Sequence, residues 1–543
     1  MLNRIKSCEC KKQFFVLVWL LFRGRMKLKL NLFLNPIWWI AIALIGKLAL
    51  VGCLQFNRSQ PLEADDAYSY LLHARTLFDD GGLSSPAQAP FKVLQYYPVP
   101  KTDAQNLENR LYHRVIYYYH NAHAALLRVM NLVVNDYDLV WWIHLYLFTV
   151  AWTLLTWQIA KKLVPATPLM AWIGSVFIFL SVAHQLTAAP REWVNLAFLA
   201  MIALWVSLPA KPRYGQLILA AFIACATVNT HPLGRVVTAM VLALVASEAV
   251  LEHWYKKVSA RRSIQVGIAL LIGWIVGEIS SRYLFPHIES PTYSAFRYRS
   301  WNDLGDVILN DWLAQALRTQ PLPFSKALSR ALLIVSTILG MVTWVRQKQT
   351  LLVLWGLGMF LSILLLTFYG QLYALPNSYY WFHTYLYSVF FFVIALAAGT
   401  CWGQILASLP ARWASALALI FLVVYFNIGA RRSFKAYQYW VDRNNFESPR
   451  LAFEELRKIG APGQCVTIHS ESLLYEYLLT ADLGRPVSFR FDCNGSYDLK
   501  GAPIVCPYRL RPRTDECRYN YQVAWQNRDW ALDCVGEVCQ RKP

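Results

Sequence analysis

The sequence predicts an α-helical polytopic membrane protein of about eleven spans, N-terminus inside and C-terminus outside, with a small extracytoplasmic α/β domain at its C-terminal end. Three observations predict it. Apolar residues come in blocks near 20 long, enough to cross a ~30 Å hydrocarbon core at ~1.5 Å per residue. Lys and Arg gather in alternate short links between the blocks. The final segment is polar, charge-balanced and rich in cysteine.

Composition agrees. The 543 residues are 56% hydrophobic and only 15% charged, whereas about 25% charge is usual in a soluble domain. The spans are expected near 36–54, 139–160, 169–186, 193–208, 217–228, 236–251, 264–284, 327–345, 351–369, 385–406 and 413–428, and the 217–228 block must recruit its flanks to cross. Trp and Tyr crowd the block edges, where amphipathic rings settle at headgroup level. With the N-terminus inside, the inside links carry Lys161/Lys162, Lys211/Arg213, Lys256/Lys257/Arg261/Arg262, Arg346/Lys348 and Arg412. An odd number of spans then places the tail outside.

The chain divides into a basic cytoplasmic segment 1–35, a transmembrane domain 36–440 with large outside loops 55–138 and 285–326, and a tail domain 441–543. Met26 opens Met-Lys-Leu-Lys-Leu, a natural alternative start. The net charge of +20 lies entirely before residue 441, because the tail holds 14 Lys/Arg against 14 Asp/Glu. A basic surplus also suits nucleic acid, but charge confined to short links between apolar blocks sets membrane orientation instead.

Six of the eleven cysteines fall in the tail: Cys465, Cys493, Cys506, Cys517, Cys534 and Cys539. An even cluster in a polar segment predicts a disulfide framework in an oxidising compartment, with the connectivity open. Zinc would favour close Cys-x-x-Cys pairs, which the tail does not have. Cys53, Cys225 and Cys401 lie in apolar blocks, where a thiol is a small hydrophobe. Pattern within the tail predicts a helix over 450–459, a strand over 465–469, a helix over 473–479 and a strand over 487–491.

The most informative segment is Glu63-Ala-Asp65-Asp66-Ala-Tyr68-Ser-Tyr70-Leu71-Leu72-His-Ala74-Arg, just beyond the first span. Leu71, Leu72, Ala74 and Leu77 predict an amphipathic helix able to lie in the membrane interface. Acidic residues at its start cap free N–H groups and suit the helix dipole. Carboxylates held close also push one pKa up, which prepares a general base.

On this segment the chain resembles the GT-C superfamily of membrane glycosyltransferases. The resemblance extends to the layout: basic N-terminus, one span, a long outside loop opening with acidic residues and amphipathic helices, then many spans. It implies sugar transfer from a polyprenyl-phosphate-type donor to an extracytoplasmic glycan, lipid or protein acceptor. Asp65 or Asp66 is then the catalytic base, and Glu63, Tyr68 and Glu192 join the substrate site. The Trp-Trp-Asp-Tyr-Gly motif of oligosaccharyltransferase catalytic subunits is absent, and the second outside loop offers only Pro190-Arg191-Glu192. No cofactor is therefore assigned, and a divalent metal stays open.

Arg191, Arg235, Arg297 and Arg299 stand outside, where Arg is usually scarce, and suit a lipid phosphate because the guanidinium fork grips two oxygens. Headgroup contact would place them there too. His231, at a span end, and His383, in the aromatic run Tyr379-Tyr380-Trp381, complete the expected donor site. His113, His120 and His123 share a helical face and suit a metal or sugar phosphate, though an interfacial Tyr/His belt explains them more cheaply.

No phosphate-binding Gly-x-x-x-x-Gly-Lys loop or Gly-x-Gly-x-x-Gly turn occurs, which argues against an ATP-driven pump or a nucleotide-sugar enzyme of Rossmann type. Two rivals remain. A polyprenyl-glycan polymerase or ligase would not need carboxylates just after the first span. A lipid-glycan flippase or transporter should carry more mid-membrane charge than Lys47 and Glu278. The expected location is a bacterial inner membrane with the site on the periplasmic side, the partners being the lipid-linked donor, the acceptor and membrane lipids, without nucleic acid.

Overall fold

The computed structural model describes residues 121–172, 190–231, 233–254, 260–283, 326–347, 349, 351–358, 378–410, 413, 449–459, 464, 466–469, 476–477, 487–489, 506–513 and 522–534, with isolated helical positions at 37, 40, 41, 44, 45, 48, 67, 70, 71 and 74. Among the described residues, eight helices build the apolar part: α1 Asn121–Val134, α2 Tyr137–Leu163, α3 Pro190–Ser207, α4 Tyr214–Thr230, α5 Leu233–Trp254, α6 Arg261–Tyr283, α7 Lys326–Arg346 and α8 Ser378–Ala407. Tyr137–Leu163, Leu233–His253 and Arg261–Ser281 are long and apolar enough to cross a membrane, and shorter apolar helices accompany them. The block expected over 217–228 does recruit its flanks, extending to Tyr214–Thr230. Most of the expected spans 169–186, 351–369 and 413–428 lie outside the described residues.

Local chemistry sets the α1–α2 corner. Asn135 adopts φ 50°, a left-handed conformation that asparagine tolerates at a helix end. Asp136 then caps α2, its side chain accepting from the Leu139 N–H at 3.0 Å, which satisfies a donor the helix leaves orphaned. At 27 residues, α2 is about 40 Å long and exceeds a ~30 Å hydrocarbon core by nearly two turns. Its last turn exposes Lys161 and Lys162.

The two ends of the bundle are chemically distinct. Trp193 of α3 bonds His144 of α2 near one end, and Gln158 bonds Ser207 near the other, so α2 and α3 run in the same direction. The short link 208–213 turns α4 back, bringing its Asn229 to Gly277 and Ser280 of α6. The carboxyl ends of α4 and α6 therefore share the Asp138 end of α2. Lys161, Lys162, Lys211, Arg213, Arg261, Arg262 and Arg346 fall at the opposite end, since each sits in or beside a link at the far side of these helices.

Glycines let helices touch. A Cβ on Gly273 of α6 would collide with the Ala221 backbone of α4, and one on Gly277 would lie 2.9 Å from the Val228 Cβ. Gly273 and Gly277 form a Gly-x-x-x-Gly pair, the spacing that puts small residues on one face for close backbone approach. Gly399 and Gly403 of α8 repeat the device against Ala171 and Thr167.

The tail domain contains α9, Arg450–Ile459, and a five-stranded sheet of β1 Val466–Ile468, β2 Val487–Phe489, β3 Tyr508–Pro512, β4 Gln522–Gln526 and β5 Trp530–Cys534. Strand order is β2-β1-β3-β5-β4. Parallel pairing in β2-β1-β3 joins antiparallel pairing in β3-β5-β4. Helix α9 matches the expected 450–459, and β1 and β2 fall inside the expected strands. The three later strands extend the domain beyond the sequence reading. Asp533, buried on β5, is shared by Arg509 and Arg511 of β3 at 2.7 Å from each Nε. Cys506 and Cys534 each take part in a disulfide, while Cys225 and Cys401 are free.

Candidate active site

The helix expected after the acidic run is present at Ala67, Tyr70, Leu71 and Ala74. Ala67, Leu71 and Ala74 are completely buried. Positions i, i+4 and i+7 share one helical face, so this apolar face packs on protein and does not rest on lipid, as the amphipathic pattern had suggested. Tyr70 fixes the helix further. Its ring stacks on Trp141 of α2 at 6.4 Å and meets the His123 ring of α1 edge-on at 5.5 Å.

From Tyr70 a chain of rings crosses the bundle. His123 Nε2 lies 3.0 Å from His144 Nε2, and the Trp193 indole N–H donates to that same His144 nitrogen at 2.6 Å. His144 is fully buried and His123 almost so. His123 is thus a core residue, not part of the lipid-facing Tyr/His belt; its expected companions His113 and His120 lie outside the described residues. Trp193 follows Glu192, a buried carboxylate in the first turn of α3, where the positive end of the helix dipole favours negative charge.

The other expected site residues separate into three groups. Asp65, Asp66, Glu63, Tyr68, Arg297 and Arg299 lie outside the described residues. Arg191 and His383 occupy helical positions in α3 and α8. His231 ends α4, and its Nδ1 accepts from the Leu233 N–H at 3.1 Å. Arg235 of α5 is ion-paired with Glu278 of α6 at 2.5 Å, and the Trp274 indole also donates to that carboxylate. Much of Arg235's charge is thereby answered within the protein. Nearby, Asn229 bridges helices by donating to the Gly277 carbonyl and the Ser280 hydroxyl.

The tail docks at the same end. Arg450 of α9 pairs with Asp138 in the first turn of α2 at 2.5 Å and with the buried Glu476 at 3.0 Å. Tail domain, acidic-segment helix and the α3 amino end therefore meet at the pole opposite the basic links. Among the described residues no group of three His, Cys, Asp or Glu side chains is placed to hold a metal ion.

No protein-family model and no curated protein sequence matches the chain. Solved structures do. ArnT from Cupriavidus metallidurans bound to undecaprenyl phosphate shares 11% identity over 92% of this chain and 98% of that one, at TM-score 0.47. The Archaeoglobus fulgidus oligosaccharyltransferase tethered with an acceptor peptide shares 9% over 83% and 64%, at TM-score 0.42. The same oligosaccharyltransferase in complex with Zn and sulfate shares 10% over 87% and 68%, at TM-score 0.43. These neighbours are GT-C glycosyltransferases, the superfamily whose layout the sequence resembles. At TM-scores below 0.5 they carry no site and no activity over to this chain.

Sequence reasoning missed His144, Trp193, Tyr70 and Trp141. One signal was available: His144 is a titratable residue inside an apolar block, and such residues face the bundle interior and find partners there. Its partners come from α1 and α3, which no local pattern could supply.

Proposed function

We propose that the chain is a membrane glycosyltransferase that moves a sugar from a polyprenyl-phosphate-type donor to an extracytoplasmic acceptor, with Asp65 or Asp66 as general base. The observation that supports this most is where the acidic run leads. Ala67, Tyr70, Leu71 and Ala74, which follow Asp66, are helical and pack against α1 and α2, at the pole shared with the tail and away from the basic links. Carboxylates at the start of so firmly held an element are suited to positioning, which chemistry between two bound substrates requires.

In this reading the carboxylate removes the acceptor hydroxyl proton, and the oxygen attacks the anomeric carbon. The carbon–oxygen bond to phosphate breaks, and polyprenyl phosphate leaves with the electron pair and growing negative charge. Cationic groups at headgroup depth stabilise that charge. Arg297 and Arg299 are the first choice, because Arg235 is already paired with Glu278; Arg191 remains a candidate. Glu63, Tyr68, Glu192, His231 and His383 complete the substrate site. A divalent metal stays open as a further source of positive charge at this site. The inside-to-outside orientation, the oxidised periplasmic tail and the bacterial inner membrane belong to the same proposal.

Transfer from a defined polyprenyl-phosphate sugar, measured in membranes, tests it. Asp65→Asn or Asp66→Asn is expected to abolish transfer at wild-type expression. Full activity in both variants would place the base elsewhere.

A further inference from the structure

The ring chain across the bundle joins the two segments that carry carboxylates in the proposed site. Tyr70 lies one helical turn after Asp66, and Trp193 is the neighbour of Glu192. His123 and His144 link them, with Trp141 packed against both Tyr70 and His144.

The chemistry of the junction is specific. Indole N–H donates and cannot accept. The His144 Nε2 facing Trp193 at 2.6 Å must therefore offer its lone pair, which leaves the ring neutral with its proton on Nδ1. His123 Nε2 approaches the same atom at 3.0 Å, so a hydrogen bond there requires His123 to be the donor. The single lone pair of His144 Nε2 is thus taken by the indole N–H at 2.6 Å, and a His123 N–H would share it as the longer arm of a three-centre contact. Its depth is also suitable: seven residues into α2, it lies about 10 Å below the helix start. That is close to the length by which α2 exceeds the hydrocarbon core, and hence near headgroup level if the excess stands at this pole.

We propose that His144 is a positioning residue for transfer: as a neutral acceptor shared by α1 and α3, it fixes the spacing between the helix that follows Asp65 and Asp66 and the Glu192 end of α3. The inference rests on the glycosyltransferase reading for its catalytic consequence. The tie between the two segments stands on geometry alone.

The test compares wild type with His144→Leu, His144→Gln, Trp193→Phe and the His144→Leu/Trp193→Phe pair, with transfer from a defined polyprenyl-phosphate sugar normalised to folded protein. His144→Leu and Trp193→Phe are each expected to lower kcat about 100-fold, the scale of a ~1 Å misplacement, with donor KM within about threefold. His144→Gln keeps an acceptor for the indole N–H and should recover to within about tenfold of wild type. The double variant should be no worse than the poorer single one. Equal losses in the Gln and Leu variants, a loss confined to KM, or multiplying losses in the pair would overturn the proposal. If His144→Leu does not accumulate, Trp193→Phe decides, and wild-type kcat in that variant overturns it. If wild-type membranes show no transfer, the glycosyltransferase reading fails instead. Amide exchange then decides the tie: protection over 67–74 and 190–195 should fall together in Trp193→Phe, and unchanged exchange in either segment overturns it.

Discussion

Asp533 shows how much a single side chain can hold. It is 1% exposed and neutralises Arg509 while also bonding Arg511 on the adjacent strand. Removing one member of a buried ionic group leaves charge without compensation, at a cost of about 3–5 kcal/mol. Asp533→Ala is therefore expected to unfold the tail, read as rapid proteolysis of the C-terminal region in membranes that leave wild type intact. Arg235 and Glu278 are a milder case, since both side chains are partly exposed. Their coupling in a double-mutant cycle should be about 1 kcal/mol, measured by thermal unfolding of the solubilised protein. A coupling near zero would free Arg235 for a ligand phosphate.

Helix α6 depends on glycine at two positions and on lipid along the opposite face. Ile264, Ile268, Leu271, Ile275 and Ile279 are exposed on it, as suits a helix that borders hydrocarbon. Gly273 and Gly277 instead meet the α4 backbone. Lipid tails are as apolar as leucine, so helices in a membrane adhere by close packing and hydrogen bonds more than by burial. Gly273→Leu should therefore force α4 and α6 apart and sharply reduce the monodisperse fraction on size exclusion. A contrasting control is Gly215 of α4, where an added Cβ meets nothing within 4 Å. Gly215→Ala should be neutral or stabilising by up to about 1 kcal/mol, because alanine is the better helix former. Equal damage at both positions would show that Gly273 has no special contact.

For the whole molecule, the contact that decides most is the one between tail and bundle. Arg450 joins Asp138 and Glu476, residues far apart in the chain. Arg450→Ala strands the buried Glu476 carboxylate, and is expected to speed proteolytic release of the tail while the helices stay intact. The proposed topology has its own test. A cytoplasm-specific reporter fused at Pro543 should be silent, and a membrane-impermeant maleimide should label the six tail cysteines only after reduction. Labelling of all six in the native protein would remove the disulfide framework.

Much of the architecture was legible because the bilayer reads the chain locally. A span must be long and apolar, and its links must carry Lys and Arg on one side, so helices from Tyr137–Leu163 to Ser378–Ala407 appear where the blocks are. Helix α9 was legible for a related reason, an apolar stripe at helical spacing. Strands β3 and β5 were not, because Arg509, Arg511 and Asp533 look like solvated charge until the two strands pair and bury them together. The candidate site divides in the same way. The acidic run is a local pattern, visible from Glu63 to Asp66. Who holds the following helix is a question of neighbours, and Tyr70, His123, His144 and Trp193 come from four separate stretches of chain. Hydropathy and charge along the sequence by themselves determined that this is a membrane protein with an acidic segment after its first apolar block. Only the tertiary structure decided that His144 stands between that segment and α3, because hydrogen bonds between helices depend on packing across the bundle and leave no periodic trace in any one of them.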